Sequence, residues 1–228
     1  MARAATSEAA AARGGSGADP DRPYAGKSLE ARRGDQRERI LLAARDVFAT
    51  RGYANAGIDE IVARARVSRT TFYEFFENKQ NCLLAVFKWG VERVGGSLLS
   101  VVAATSHAAY HPMDRIRAEV RALASAYAAD PAMARILLIE IVGATPTCER
   151  ARVHARDQAA RVIQAQLEQY DYWRDRPVLD RRVASLAAMA AISEPISELV
   201  AEERLSDWET LVEPISLVVG RGLIDPND

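Results

Sequence analysis

Cysteine is nearly absent from this chain. Cys82 and Cys148 are all that its 228 residues provide. Two cysteines cannot build a disulfide framework and neither stands at metal-ligand spacing, so a reducing cytoplasm is the expected compartment. Histidine is almost as scarce, with His107, His111 and His154. The first two lie four apart, as a metal pair on a helix would, but Pro112 interrupts and no Cys or carboxylate completes a set. No metal and no cofactor are expected. No run of eighteen apolar residues occurs, so no membrane span is expected, and the N-terminus lacks the apolar core of a secretory signal. There is no nucleophile elbow and no phosphate-binding glycine loop. A helical enzyme remains an alternative, but the chain is read as a non-enzyme.

What is present favours helix. Strand formers are few, while alanine, leucine and arginine abound, so the expected class is all-α. Net charge is −1, yet it is unevenly spread: residues 1–88 carry 15 basic and 11 acidic side chains, the rest 15 and 20. A basic front and an acidic back suit a chain that meets a polyanion at one end only.

Residues 1–34, with "ARGGSGADPDRP" at their centre, show no apolar periodicity and read as a disordered tail. Its arginines are either a passive leader or a source of non-specific phosphate attraction. From Asp35 the pattern turns helical, with Ile40, Leu41, Ala44, Val47 and Phe48 on one face. Asp35 and Glu38 have the spacing of a capping box, and Gly52 suits a helix stop. A second short helix follows Gly57, with Ile58, Ile61 and Val62 inward. Ser68 caps a third over 69–75, and a fourth starts near Lys79, where Gly95 and Gly96 weaken it or form a hinge. Further helices are expected at 112–129, 131–143, 147–170, 178–202 and 206–223, with kinks at Pro195 and Pro214.

Two short helices joined by a tight turn form a helix-turn-helix. In "VSRTTFYEFFENK", residues 67–79, Phe72 and Phe76 face the core. Arg69, Thr70 and Tyr73 face the other way, as a major-groove reading helix requires. Arg69 can donate twice to a guanine edge. Ser68, Thr70, Thr71 and Tyr73 bring hydroxyls for phosphate or base edges. Lys79 combines its ammonium with the free amides of a helix start as a phosphate site.

Residues 37–87 resemble the DNA-binding region of the TetR family of transcriptional regulators. The match lies in Gly52-Tyr53, Ile61-Val62, Val67-Ser68 and the Tyr73, Phe76, Lys79 spacing. Two positions depart from the pattern, Arg66 where the turn usually has glycine and Gly57 where a Ser or Thr is common before helix two, and Glu74 places a negative charge near DNA. Arg66 either strains the turn or adds a phosphate contact. The resemblance implies a three-helix DNA-binding domain over 35–80 and a larger helical ligand-binding and dimerisation domain over 81–228. It implies a homodimer on a palindromic double-stranded DNA operator and release of a repressor by a small hydrophobic effector. The rival reading is a regulator without ligand response, controlled by a protein partner.

Candidate pocket residues are Trp89, Tyr110, Met113, Tyr127, Met133 and Glu140, against the plainer reading that they are core. Glu140, set among Ile136, Leu137 and Ile141, needs a partner, and both an ion pair with Arg135 and ligand recognition are open. Candidate dimer residues are Leu186, Met189, Ile196 and Leu199 on one helix, and Trp208, Leu211, Ile215 and Val218 on the next. Two such helices from each subunit make a four-helix bundle. Cys148 is either a sensor thiol or buried structure.

Overall fold

A computed structural model describes residues 29–105, 111–169, 171–174 and 177–223. Among these the regular structure is helical, with no strand. The reading head comprises α1 (Leu29–Asn55), α2 (Ile58–Ala65) and α3 (Arg69–Phe75). The long α4 (Lys79–Thr105) leaves it and leads to α5 (Pro112–Ala128) and α6 (Pro131–Arg135). A π-helical turn, Ile136–Glu140, continues α6. Then come α7 (Pro146–Leu167), the short α8 (Asp171–Arg174), α9 (Val178–Ala201) and α10 (Glu209–Leu223).

The caps explain most boundaries. His111, Asp130 and Thr145 each accept a hydrogen bond from the backbone of the first turn that follows, and each precedes a proline at the start of its helix. Proline has no N–H to lose there and a backbone angle already suited to the helix. The ring of His111 is therefore engaged as a cap, while His107 and the pocket candidate Tyr110 lie outside the described residues. Pro195 and Pro214 sit inside α9 and α10, within helices that continue on either side of them.

The start of α1 differs from the sequence reading. The helix begins at Leu29, not Asp35, so Asp35 lies inside it and not at its N-terminus. The polar, arginine-rich start hid this extension, because it has no apolar stripe to reveal a period. Gly52 does interrupt α1, with φ of 74° and ψ of 154°. Only glycine takes that conformation readily.

One apolar cluster joins Ile40, Val47, Phe48, Ile61 and Phe72 of the head to Leu83 and Val86 of α4 and to Ile136 and Ile141. It therefore runs through the 80/81 position where the sequence suggested a division. Smaller clusters join α5, α9 and α10 further from the head.

Candidate nucleic-acid interface and effector domain

The turn between α2 and α3 is built by backbone hydrogen bonds. Arg66 adopts φ 55° and ψ 49°, its N–H donates to the Ala63 carbonyl, and Val67 N–H donates to the Val62 carbonyl. Arg66 thus holds the left-handed position for which glycine is suited, at a cost of about 1 kcal/mol. Ser68 caps α3: its Oγ accepts from Thr71 N–H at 3.0 Å and lies 2.9 Å from Thr71 Oγ1. The cap and Thr71 hydroxyls are thereby engaged with each other.

Phe72 is fully buried and Phe76 nearly so, with ring centroids 5.6 Å apart. That anchors one side of α3 and turns Arg69, Thr70 and Tyr73 outward, as the spacing predicted. Arg69 is not idle in the free protein. It donates to Asp59 Oδ1 of α2 at 2.6 Å and approaches the Tyr73 hydroxyl at 3.4 Å. To reach a base edge it must leave Asp59, an exposed pair of low intrinsic strength. The sequence reading did not pair these two, since Asp59 looked like an ordinary first-turn acid.

Lys79 requires a correction. Its ammonium donates to the carbonyls of Tyr53, Ala54 and Ala56 at 2.7, 3.2 and 3.0 Å, and lies 4.6 Å from the Tyr53 ring centre. An ammonium has three N–H donors, so Lys79 ties off the end of α1 rather than presenting its charge to a phosphate. Positive charge arrives instead from the start of α1, where Arg33 falls in the stretch read from sequence as a tail and Arg37 just beyond it. Arg33 and Arg37 lie over the Phe75 and Phe76 rings at 5.4 and 5.8 Å, beside the reading helix.

Glu140 is corrected as a pocket residue. One carboxylate oxygen accepts from Tyr53 N–H at 2.8 Å, and the other accepts from Arg135 Nε at 3.1 Å. It reaches from the π-helical turn to the break at Gly52, where a side chain would press on it. The larger domain thus holds the backbone of the head directly. A second tie lies along α1, where Arg45 donates to Asp130 at 2.9 Å.

Of the other described pocket candidates, Met133, Trp89 and Tyr127 pack on the head cluster, while Met113 lies apart, against α10. Met133 is buried across Gly90 of α4, and Met113 crosses Gly220 of α10. Trp89 packs on the head cluster, with Arg93 over its ring. Tyr127 bridges the head cluster and the α9 cluster, and burial pushes its phenol up to about 12. Two surface grooves are lined by other residues, one by Arg32, Gln36 and Leu42 of α1 and one by Glu149, Val153 and His154 of α7. Both cysteines are fully buried, and burial pushes the Cys82 thiol up to about 12.

Of the dimer candidates, Ile196, Leu199 and Ile215 are corrected: they are buried in the chain's own core. Trp208 and Leu211 pack on the same clusters, while Leu186 and Met189 are half-buried. Val218 is 63% exposed, and Val178, Leu179, Val183 and Leu217 are exposed as well. Sequence reasoning missed these four because it sought the richest apolar stripe, and the core had the stronger claim on that stripe.

The arrangement defines a helix-turn-helix protein with a larger helical domain. Residues 40–86 match the family described as bacterial regulatory proteins, tetR family. Over 90 residues the chain is 36% identical to the HTH-type transcriptional activator FasR of Mycolicibacterium smegmatis. That match covers 40% of this chain and 39% of the relative. The fatty acid degradation regulator FadR from Bacillus halodurans has the same fold, with a TM-score of 0.70 at 20% identity over 83% of this chain and 96% of that one. FadR from Bacillus subtilis, in complex with stearoyl-CoA, gives 0.64 at 18% over 78% and 97%. Residues 40–86 thus carry the DNA-binding region of the tetR family, the chain matches about two-fifths of the length of the Mycolicibacterium relative, and the relatives named are regulators.

Proposed function

We propose that the chain is a DNA-binding transcriptional regulator that reads a palindromic operator as a homodimer and is released from it by a small acyl effector. The observation that carries this is the outward face of α3, with Arg69, Thr70 and Tyr73 presented by a helix whose other face is locked by Phe72 and Phe76. Dimerisation is supported by the exposed apolar residues Val178, Leu179 and Val183 of α9 and Leu217 and Val218 of α10. A twofold dimer places two reading helices roughly 34–36 Å apart, one turn of DNA. The effector class is supported by the stearoyl-CoA bound to the Bacillus subtilis relative. Repression follows where the operator overlaps a promoter. The Mycolicibacterium relative, an activator, favours the opposite sign on the same reading head.

The close packing of Met133 on Gly90 favours a second reading, a regulator without ligand response that answers to a protein partner. The deciding experiment for DNA binding is fluorescence anisotropy on the DNA upstream of the chain's own gene, across a salt series. Saturable binding above that of random DNA, weakening with salt, is expected. Arg69→Ala is expected to lose about 1–3 kcal/mol and to relax preference at one base pair. Equal loss on every sequence would reassign Arg69 to phosphate.

A further inference from the structure

We propose that Arg115 is the recognition point for an oxyanion carried by the effector, either a carboxylate or the phosphates of an acyl-coenzyme A. This rests on the reading of the chain as an effector-responsive regulator. Arg115 lies near the start of α5, with only 10% of its side chain exposed. Its Nε donates to Glu119 Oε1 at 3.1 Å, and its Nη1 donates to Gln169 Oε1 at 3.3 Å. Its Nη2 is buried, and among the described residues it is the one buried side-chain polar atom without a partner. A guanidinium is a donor-only fork, so what is missing there is an acceptor, best supplied by a planar oxyanion.

The neighbours fit such a ligand. Glu119 does not fully satisfy Arg115, because its Oε1 is shared with Gln166 Nε2 at 2.8 Å. Burial raises the Glu119 carboxyl above its ordinary range against the pull of Arg115. Gln166 and Gln169 bring amides whose remaining N–H groups can meet a second ligand oxygen. An apolar seam adjoins these groups. Ile116 follows Arg115, Val120 follows Glu119, and Ile163 stands one turn before Gln166; all three join the cluster between α5, α9 and α10. Met113 occupies that seam, against Gly220 and close to Ile116. An unbranched thioether side chain is a filler that changes rotamer readily, so an acyl chain can take its place.

The test is calorimetric titration of the full chain with dodecanoate, dodecanoyl-coenzyme A and dodecanol, for wild type, Arg115→Met and Glu119→Gln. Arg115→Met is expected to weaken at least one oxyanion probe by on the order of tenfold and to leave dodecanol unchanged. A loss confined to dodecanoate assigns the carboxylate, and one confined to the coenzyme A ester assigns the phosphates. Glu119→Gln removes the competing internal carboxylate and is expected to tighten the same probe severalfold. Equal affinities in wild type and Arg115→Met, equal loss of all three probes, or no binding to wild type would overturn the site. Should Arg115→Met fail to fold, Glu119→Gln decides: tightening supports the site, and unchanged or weaker binding overturns it. Anisotropy on operator DNA, run alongside, separates the two readings. DNA binding without probe binding sinks the site alone, and probe binding without DNA binding sinks the regulator.

Discussion

The reading head and the larger domain use polar residues in opposite ways. In the head, aromatic anchors face inward and the polar face of α3 is left to solvent, held by exposed pairs such as Arg69 with Asp59. In the larger domain a few polar groups turn inward, as Arg115, Glu119 and Glu140 do. A polar face kept in water stays free for a partner. One taken inside must be matched, and the match then links elements that sequence holds far apart. The two regions meet where Glu140 grips Tyr53 N–H and Arg45 grips Asp130.

The sharpest break of this contrast is inside the head. Phe72 is fully buried, and Phe72→Ala is expected to cost about 3–5 kcal/mol, the range for an aromatic removed from a close-packed core. Urea denaturation followed by circular dichroism measures it. Because one apolar cluster spans the head and the start of α4, a single transition should shift as a whole. Two separated transitions would show that the head unfolds alone.

Next in size is the seam. Glu140→Ala leaves Tyr53 N–H and Arg135 without their acceptor, and the side chain being only 11% exposed, the loss is expected at about 1–3 kcal/mol. Glu140→Gln keeps a carbonyl acceptor and should lose less. Both variants are compared with wild type by denaturation and by operator affinity. If operator affinity falls while Arg69→Ala leaves stability intact, the carboxylate positions the head and the guanidinium reads DNA. If Glu140→Ala costs nothing by either measure, the seam is not held there.

Much of the head was legible in the sequence because its signals are local. Ser68 caps α3, Phe72 and Phe76 lie four apart, and Gly52 marks a break, each within one or two turns of chain. The same locality misled the reading of Lys79, whose partners lie more than twenty residues back at Tyr53, Ala54 and Ala56. Glu140 showed itself as a buried acid in need of a partner. Arg135 was readable at five residues' distance, but Tyr53 N–H, 87 residues away, was not. On α9 and α10 periodicity identified apolar positions, but it could not divide core from surface, because a helix apolar on several faces gives both the same signal. Ile196 and Ile215 therefore changed sides, and Val178 and Val183 emerged only in three dimensions.

A smaller effect tests the turn. Arg66 pays its strain at φ 55°, so Arg66→Gly is expected to stabilise the head by up to about 1 kcal/mol, less the extra freedom glycine gains in the unfolded chain. Thermal melting reads the stability and anisotropy reads the DNA affinity. A gain in stability with a loss of affinity that lessens as salt rises would mean that Arg66 contributes a phosphate contact as well as strain. Unchanged affinity would leave Arg66 as a tolerated departure.

The smallest effect separates three glycines of α4. A Cβ at Gly90 would run into Met133 and Leu137, whereas nothing lies within 4 Å of one at Gly95 or Gly96. α4 passes through Gly95 and Gly96 without a break. Gly90→Ala should therefore be unfavourable, by an amount set by how far Met133 can yield. Gly95→Ala and Gly96→Ala should each stabilise by about 0.5–1 kcal/mol, because alanine loses less backbone freedom than glycine on entering a helix. The double variant also addresses the hinge. With α4 stiffened, an effector that must bend it would lose its power to release DNA while operator affinity without effector stayed the same. An unchanged response would place the transmitted motion elsewhere, and the remaining route on this structure is the segment from Asp130 to Glu140, which grips α1 at both ends.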